Sequence, residues 1–300
     1  MANKLFSVVI PYYNSISTLQ RLLDSIPRDP DIEVIVADDK STEGMEVFNA
    51  LKEKEQCYNR IFVENTGNSK GVGAARNVGL GFATGKWILF ADADDYFLDG
   101  AFDELRKHAD SQADQIFFCH TSADSETGEP GKRHAFYEKL ISTYLSDPSE
   151  ENERKIRYRY SWVTSKMISH SFLKKNNLRF EEILTSEDSM FTVYSGWLSD
   201  TIEYYDHPIY CITANNRSVT HKKNREKEFV QAHSVCKRVR FLQERLPKDQ
   251  VDALGFSGNL CIRRAFRMYH DPLLMLQLYV IFKKNHIPLK YKVGPFHIKL

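Results

Sequence analysis

The densest chemistry in this 300-residue chain is Asp92-Ala93-Asp94-Asp95, directly behind the apolar run Trp87-Ile88-Leu89-Phe90-Ala91. An extended backbone alternates its side chains, so Asp92 and Asp94 are expected on one side, where they repel unless a cation stands between them. A hard divalent ion, Mg2+ or Mn2+, takes a few carboxylates and completes its shell with water and phosphate oxygens. Such an ion stabilises the charge that develops on a departing diphosphate. An acidic turn leading to a helix cap at Asp99 has the same sequence, so the motif needs its neighbours. Asp38-Asp39 closes a second apolar run, where a carboxylate can accept from a nucleobase imide or a ribose hydroxyl. Gly71-Val72-Gly73-Ala74-Ala75-Arg76-Asn77 opens a helical stretch with small residues that admit a close ligand, and Arg76 is placed to reach phosphate or to pair with Asp95. It is a poor dinucleotide fingerprint, because Arg76 stands where Gly or Ala is required and the segment follows the third strand. Ser186-Glu187-Asp188 precedes a helix start. Its acids are either partners of the helix dipole or a general base for an acceptor hydroxyl.

The elements that must hold these groups alternate. Short apolar strands are predicted at 6–10, 33–37, 60–64 and 87–91, and helices at 15–26, 45–54, 73–82 and 102–108. In the first helix Ile16, Leu19, Leu22, Leu23 and Ile26 share a face, with Ser15 or Ser17 as cap. This rhythm, with continuously apolar strands, predicts an α/β fold whose parallel sheet is covered on both faces. Ligands bind beyond the carboxyl ends of such strands, where Pro11-Tyr12-Tyr13-Asn14, Asp38-Asp39 and Asp92–Asp95 all fall. Residues 121–135 and 146–159, rich in Ser, Asp, Glu, Gly and Pro, read as loops around a helix at 137–145. Order returns over 162–201, and helical patterns dominate from Gln231, broken at Pro247 and Asp271-Pro272.

A formal net charge of +1 argues against a nucleic-acid partner, but the charge is unevenly spread. Residues 217–300 hold 18 Lys and Arg against 6 Asp and Glu, while the rest of the chain carries a net −11. Such a region either meets an anionic surface or consists of solvated helix faces. Leu274, Leu278, Ile281 and Phe282 sit at helical spacing between Arg263, Arg264 and Arg267 on one side and Lys283, Lys284, Lys290 and Lys292 on the other. Peripheral contact with an anionic membrane is one reading; a helix packed on the catalytic domain or on a homodimer partner is the other. Five scattered cysteines without a CxxC pair indicate reduced thiols in a cytoplasm. Met1-Ala2-Asn3-Lys4 leads straight into a strand with no targeting run, and no apolar stretch approaches the roughly 20 residues of a spanning helix. The expected location is cytoplasmic, peripheral on the inner face of the membrane.

Taken in order, these segments resemble the family 2 inverting glycosyltransferases of the GT-A fold. The resemblance rests on Ser7–Asn14, Val34–Thr42, Asn65-Thr66-Gly67 with Gly71–Gly79, Gly85–Asp95, and Phe180-Glu181-Glu182 with Ser186–Asp188 and Phe191, covering roughly 1–110 and 160–195. It implies a Rossmann-like, mostly parallel sheet flanked by helices, with a helical C-terminal extension. Residues 1–110 would be the nucleotide-sugar half, 111–220 the acceptor half of the same domain, and 221–300 a helical basic region. The resemblance also implies residue roles. Pro11, Tyr13 and Asp39 would line the uracil pocket of a UDP-sugar, and Arg76 would support the nucleotide or the acidic loop. Asp92 would contact ribose or metal-bound groups, and Asp94 would ligate Mn2+ or Mg2+. Asp188 would deprotonate the acceptor, with Glu187 orienting it. The implied activity is transfer of a hexose or N-acetylhexosamine, with inversion, to a hydroxyl of a glycan or lipid-linked acceptor in surface-polysaccharide assembly. Two departures stand out. Lys40 replaces the Gly of the usual Asp-Asp-Gly-Ser, and the segment 215–221 only loosely resembles the family's lid, with His221 either a third metal ligand or a surface side chain. The alternatives are a sugar-phosphate nucleotidyltransferase, disfavoured because Pro11-Tyr12-Tyr13-Asn14 replaces its Gly-rich loop, and a non-catalytic nucleotide-sugar-binding subunit.

Overall fold

Apolar side chains leave both faces of the first strands, and helices cover both. The computed structural model describes residues 4–214, 223–293 and 296–299. It opens with the expected alternation of β1 (Phe6–Tyr12), α1 (Ile16–Asp24), β2 (Ile32–Asp38), α2 (Met45–Glu55), β3 (Arg60–Glu64), α3 (Val72–Phe82) and β4 (Trp87–Phe90). β1 pairs in parallel with β2 and β4, and β2 with β3. Phe6, Val8, Ile10 and Tyr12 point into one core with Leu19, Leu22 and Phe48, while Val9 points into the other with Leu80 and Phe191. That period of two is the strand's own geometry expressed as two hydrophobic layers.

The chain continues through β5 (Tyr96–Phe97), α4 (Ala101–Lys107), β6 (Gln115–Asp124), α5 (Ala135–Ser146), α6 (Glu150–Arg159), β7 (Lys166–Ser169), α7 (His170–Lys175), α8 (Asp188–Leu198) and β8 (Ile202–Ala214). The sheet order is β3-β2-β1-β4-β7-β6-β8-β5. β6 and β8 are parallel, but β7 runs antiparallel to both of its neighbours and β5 antiparallel to β8. The sheet is therefore mixed: its first four strands are parallel, and the second half is not.

Two segments read as loops have structure. Residues 150–159 form α6, because Ser149 caps the helix by accepting from Asn152 N and the charges repeat every four residues. Glu150–Arg154, Glu151–Lys155 and Glu153–Arg157 pair at 3.2, 2.6 and 2.7 Å, while Ile156 and Tyr158 are buried. Polar composition hid an amphipathic helix. In the other segment β6 runs on to Asp124, and Ala123 bridges Pro130 across a tight turn.

The C-terminal helices α9 (Arg225–Gln243), α10 (Lys248–Ala253), α11 (Asn259–Arg264) and α12 (Pro272–Lys284) build their own core. Val239, Leu242, Leu274, Leu278 and Phe282 pack there with Tyr158 of α6 and Val193 of α8. The region does not end as helix: β9 (Lys290–Val293) and β10 (Phe296–Lys299) pair as an antiparallel hairpin. Among the described residues no helix is long and apolar enough to cross a membrane. All five cysteines are free thiols.

Candidate active site

β4 stops at Phe90, and the backbone behind it turns, with Asp95 N donating to Asp92 O at 3.0 Å. The extended alternation expected for Asp92 and Asp94 does not exist, and the turn sends the three acids to different partners. Asp92 accepts from Arg76 Nη2 at 2.7 Å. Asp95 is buried and accepts from Thr213 N at 2.7 Å and from the Tyr210 hydroxyl, which itself accepts from Asp92 N at 2.9 Å. Burial, then the charges of Asp94 and Asp92, hold the Asp95 carboxyl well above the usual carboxylate range. Asp94 stands at the rim. Its backbone carbonyl is held by Arg21 and by Thr213 Oγ1, yet among the described residues its carboxylate bonds to no other side chain. Enclosure by protein on its inner side, and the neighbouring Asp92, push its carboxyl up.

Arg76 ties this turn to the opposite wall. It is buried on α3, and its second nitrogen donates to Glu187 at 3.0 Å, so the partner is Asp92 with Glu187 rather than Asp95. Burial works against its charge, but Asp92, Asp188 and Glu187 outweigh that and raise its pKa. Asp188 begins α8 directly behind Glu187. Burial and the Glu187 charge push its carboxyl up to about 7, against the pull of Arg76. A pKa near the working pH is what a general base needs.

Of the glycines in the 71–79 segment, Gly73 serves this wall, while Gly79 lets α3 sit against Val9 of the sheet. A Cβ on Gly73 would stand 2.2 Å from the Glu181 carbonyl oxygen and 3.1 Å from Glu187 Cβ, so only glycine lets α3 touch the acid-bearing loop. Gly73→Ala should therefore push Glu187 off Arg76 and destabilise the fold by about 1–3 kcal/mol. A thermal melt and an activity assay on the same sample check this; a variant that melts and turns over like wild type refutes the close approach.

On the strand-end side Pro11 is buried in β1, and Tyr13 lies exposed under Lys70 Nζ, 4.2 Å from its ring centroid. Asp39 is buried and accepts from Asn65 Nδ2 at 2.8 Å and from Gly71 N at 2.7 Å. Lys40 takes a left-handed backbone, φ 62°, a region that glycine enters without strain, and its Nζ donates to Gly67 O at 2.6 Å. The turn survives the substitution at the cost of a strained non-glycine residue, about 1–2 kcal/mol.

Asp92, Asp95 and Asp188 face one cleft, lined also by Arg133, Trp162 and Thr164. Arg133 and Trp162 carried no motif. Lys166 did leave a signal, a lone cation in the apolar strand Lys166–Ser169. It is buried with Nζ 4.1 Å from the Phe117 ring centroid, and burial pulls it down to about 7 while the Asp188 charge opposes this. His221 and the segment 215–221 lie outside the described residues. No group of three metal-ligating side chains occurs among the described residues. The donor set nevertheless fits a hard cation that keeps its other sites for phosphate and water: an unbonded rim carboxylate, Asp94, beside a second, Asp92.

Residues 7–176, more than half of the chain, match the family model described as Glycosyl transferase family 2. The chain belongs to glycosyl transferase family 2. Among relatives of this family 2 chain, the poly(ribitol-phosphate) beta-glucosyltransferase of Bacillus spizizenii is 32% identical over 62% of this chain and 28% of its own length. The poly(ribitol-phosphate) beta-N-acetylglucosaminyltransferase TarS of Staphylococcus aureus is 27% identical over 67% of this chain and 35% of its own. The chain thus spans about a third of these curated relatives. The crystal structure of S. aureus TarS 1-349 in complex with UDP-GlcNAc superposes with TM-score 0.67 at 20% identity, over 94% of this chain and 80% of that one. A mannosyltransferase of Pyrobaculum calidifontis, in complex with GDP-Man and Mn2+, gives 0.58 at 16% identity over 95% and 76%. The family 2 chain has the GT-A fold that its motifs led one to expect.

Proposed function

We propose that this chain transfers a hexose or N-acetylhexosamine, with inversion, from a UDP-sugar to a hydroxyl of a cell-wall glycan or lipid-linked acceptor. The carrying observation is that a base-like carboxylate, Asp188, and the acidic turn at Asp92–Asp95 face one cleft, with Arg76 bonded to both sides. The names of the curated relatives support surface-polymer assembly as the setting. Residues 1–110 would hold the donor and 111–220 the acceptor, with 221–300 bracing the acceptor side.

In the proposed reaction the acceptor hydroxyl gives its proton to Asp188 Oδ as its oxygen bonds to the anomeric carbon. The bond from that carbon to the diphosphate breaks on the opposite face, and UDP leaves with the electron pair. One displacement inverts the centre without a covalent nucleophile on the enzyme. Glu187, fixed by Arg76, orients the acceptor or its loop. Pro11, Tyr13 and Asp39 shape the uracil pocket, and Arg133 with Trp162 covers the sugar ring. A divalent cation held by Asp94 and Asp92 would neutralise charge on the leaving diphosphate.

The test is UDP release from a panel of UDP-sugars with Mn2+ or Mg2+, and again with EDTA. Asp94→Ala should lower the rate about a hundredfold or more, as should EDTA on the wild type. Undiminished release in both refutes the cation assignment; no release from any UDP-sugar refutes the donor.

We place the chain in the cytoplasm, peripherally on the inner membrane face. Leu260, Phe266, Leu273 and Leu276 are exposed on the C-terminal helices, with Arg263, Arg267, Lys283 and Lys284 also exposed there. Vesicles containing phosphatidylglycerol should carry the protein upward in a flotation gradient at low salt and release it at high salt. A homodimer covering this face would instead stay at the bottom and double the mass in light scattering.

A further inference from the structure

Where the C-terminal helices meet α6, two guanidinium groups share one phenyl ring. Arg159, the last residue of α6, and Arg238 of α9 lie with Cζ 5.2 and 5.1 Å from the centroid of Phe256. Arg159 also lies 5.3 Å from the Phe136 centroid and donates to the Leu254 carbonyl. Among the described residues neither guanidinium is bonded to a carboxylate, and Arg238 Nε is buried with no hydrogen-bond partner. Arg60, Arg76, Arg106, Arg157 and Arg264, by contrast, each meet an acid.

Two like charges on one ring, both short of water, disfavour each other, and cation–π contact offsets only part of that cost. Burial lowers the pKa of both, and the Arg159 charge lowers Arg238 further. Ring contacts link the pair to the cleft: Phe136, under Arg159, lies 5.2 Å from Tyr137, which packs on Trp162 of the cleft wall. The carboxylate whose field reaches Arg238 is Asp188. The fields of both arginines reach Tyr137, whose ring lies 4.2 Å from that of Trp162 in the cleft wall. A planar guanidinium with unused donors matches phosphate oxygens, and a pair of them matches a dianion or a bridging phosphodiester.

We propose that Arg159 and Arg238 bind a phosphate of the acceptor, a phosphodiester within a polyol-phosphate chain, and thereby set which hydroxyl reaches Asp188. This rests on reading Asp188 as the base of the transfer. A neutral glycan would leave both cations unpaired. The donor diphosphate is the other source of the same chemistry, and the experiment separates the two.

The full chain is titrated calorimetrically with a phosphodiester-linked ribitol oligomer, with ribitol, and with UDP. Wild type should bind the oligomer at least roughly tenfold more tightly than ribitol. That preference should shrink as salt rises. Arg238→Gln and Arg159→Gln should lose the preference while holding UDP affinity within about twofold. Equal binding of oligomer and ribitol by wild type overturns the proposal, whether or not the variants fold. Variants that weaken UDP and spare the oligomer also overturn it, by assigning the arginines to the donor. Oligomer binding without any UDP binding would sink the donor reading and leave this site standing.

Discussion

Asp188→Asn should lose transfer by about 10²–10⁴-fold, the usual range for a general base, and should also melt higher than wild type at neutral and alkaline pH. The second half follows from the sign of the shift. The Asp188 carboxyl titrates near 3.8 when unfolded and at about 7 in the fold, because burial and Glu187 disfavour its charge. A group with a raised folded pKa costs nothing below the unfolded value. It costs progressively more stability as pH climbs from about 4 to about 7, and a constant amount above. The neutral asparagine escapes that cost, so its advantage in Tm should grow across the same window and then level off. Wild-type kcat/KM should rise with pH through about 7, as the base loses its proton. A variant with full activity, or one whose Tm advantage is flat from pH 4 to 8, would remove Asp188 from the role.

The second large effect belongs to Arg76. Arg76→Met strips three carboxylates, Asp92, Glu187 and Asp188, of the cation buried among them. Removing one partner of a buried ion pair costs about 3–5 kcal/mol. For a chain of this size that lowers Tm by about 10 °C, at roughly 2–4 °C per kcal/mol. The surviving fold should show its kcat/KM limb displaced to higher pH, since the Asp188 carboxylate has lost a stabilising charge. Arg76→Lys should recover part of the stability, having one nitrogen where the wild type uses two. Denaturant titration and a pH–rate profile read both effects; an Arg76→Met protein as stable as wild type would contradict the buried tie.

What could be seen in the sequence follows how locally each feature is encoded. β1, β2 and β4 are runs of Val, Ile, Leu and Phe whose neighbours along the chain suffice to define them, and they lie within two residues of expectation. The place of Asp188 at a helix start was legible because such a start leaves its own mark. α6 was not, because its information lies in the four-residue spacing of Glu150, Glu151 and Glu153 against Arg154, Lys155 and Arg157, which composition averages away. The antiparallel insertion of β7 depends on pairing with β4, some eighty residues earlier, and a strand of four residues does not announce its direction. The cleft was half visible for the same reason. Its acids sit in motifs, whereas Arg133 and Trp162 come from separate segments that only the folded sheet brings together. The same holds for Gly73, whose need is set by the Glu181 carbonyl more than a hundred residues away.

Because one guanidinium spans both walls, the proposed leaving-group side and the proposed proton-accepting side are not energetically independent. The negative charge of Asp92 is among the influences that raise the Asp188 pKa, so any positive charge arriving at Asp92 must make Asp188 a readier anion. Thermodynamic reciprocity then requires that ionising Asp188 tighten whatever cationic species is held at Asp92, by the same factor. An enzyme so wired would assemble its donor site and arm its base as one event, leaving little opportunity for water to be activated before the donor is in place.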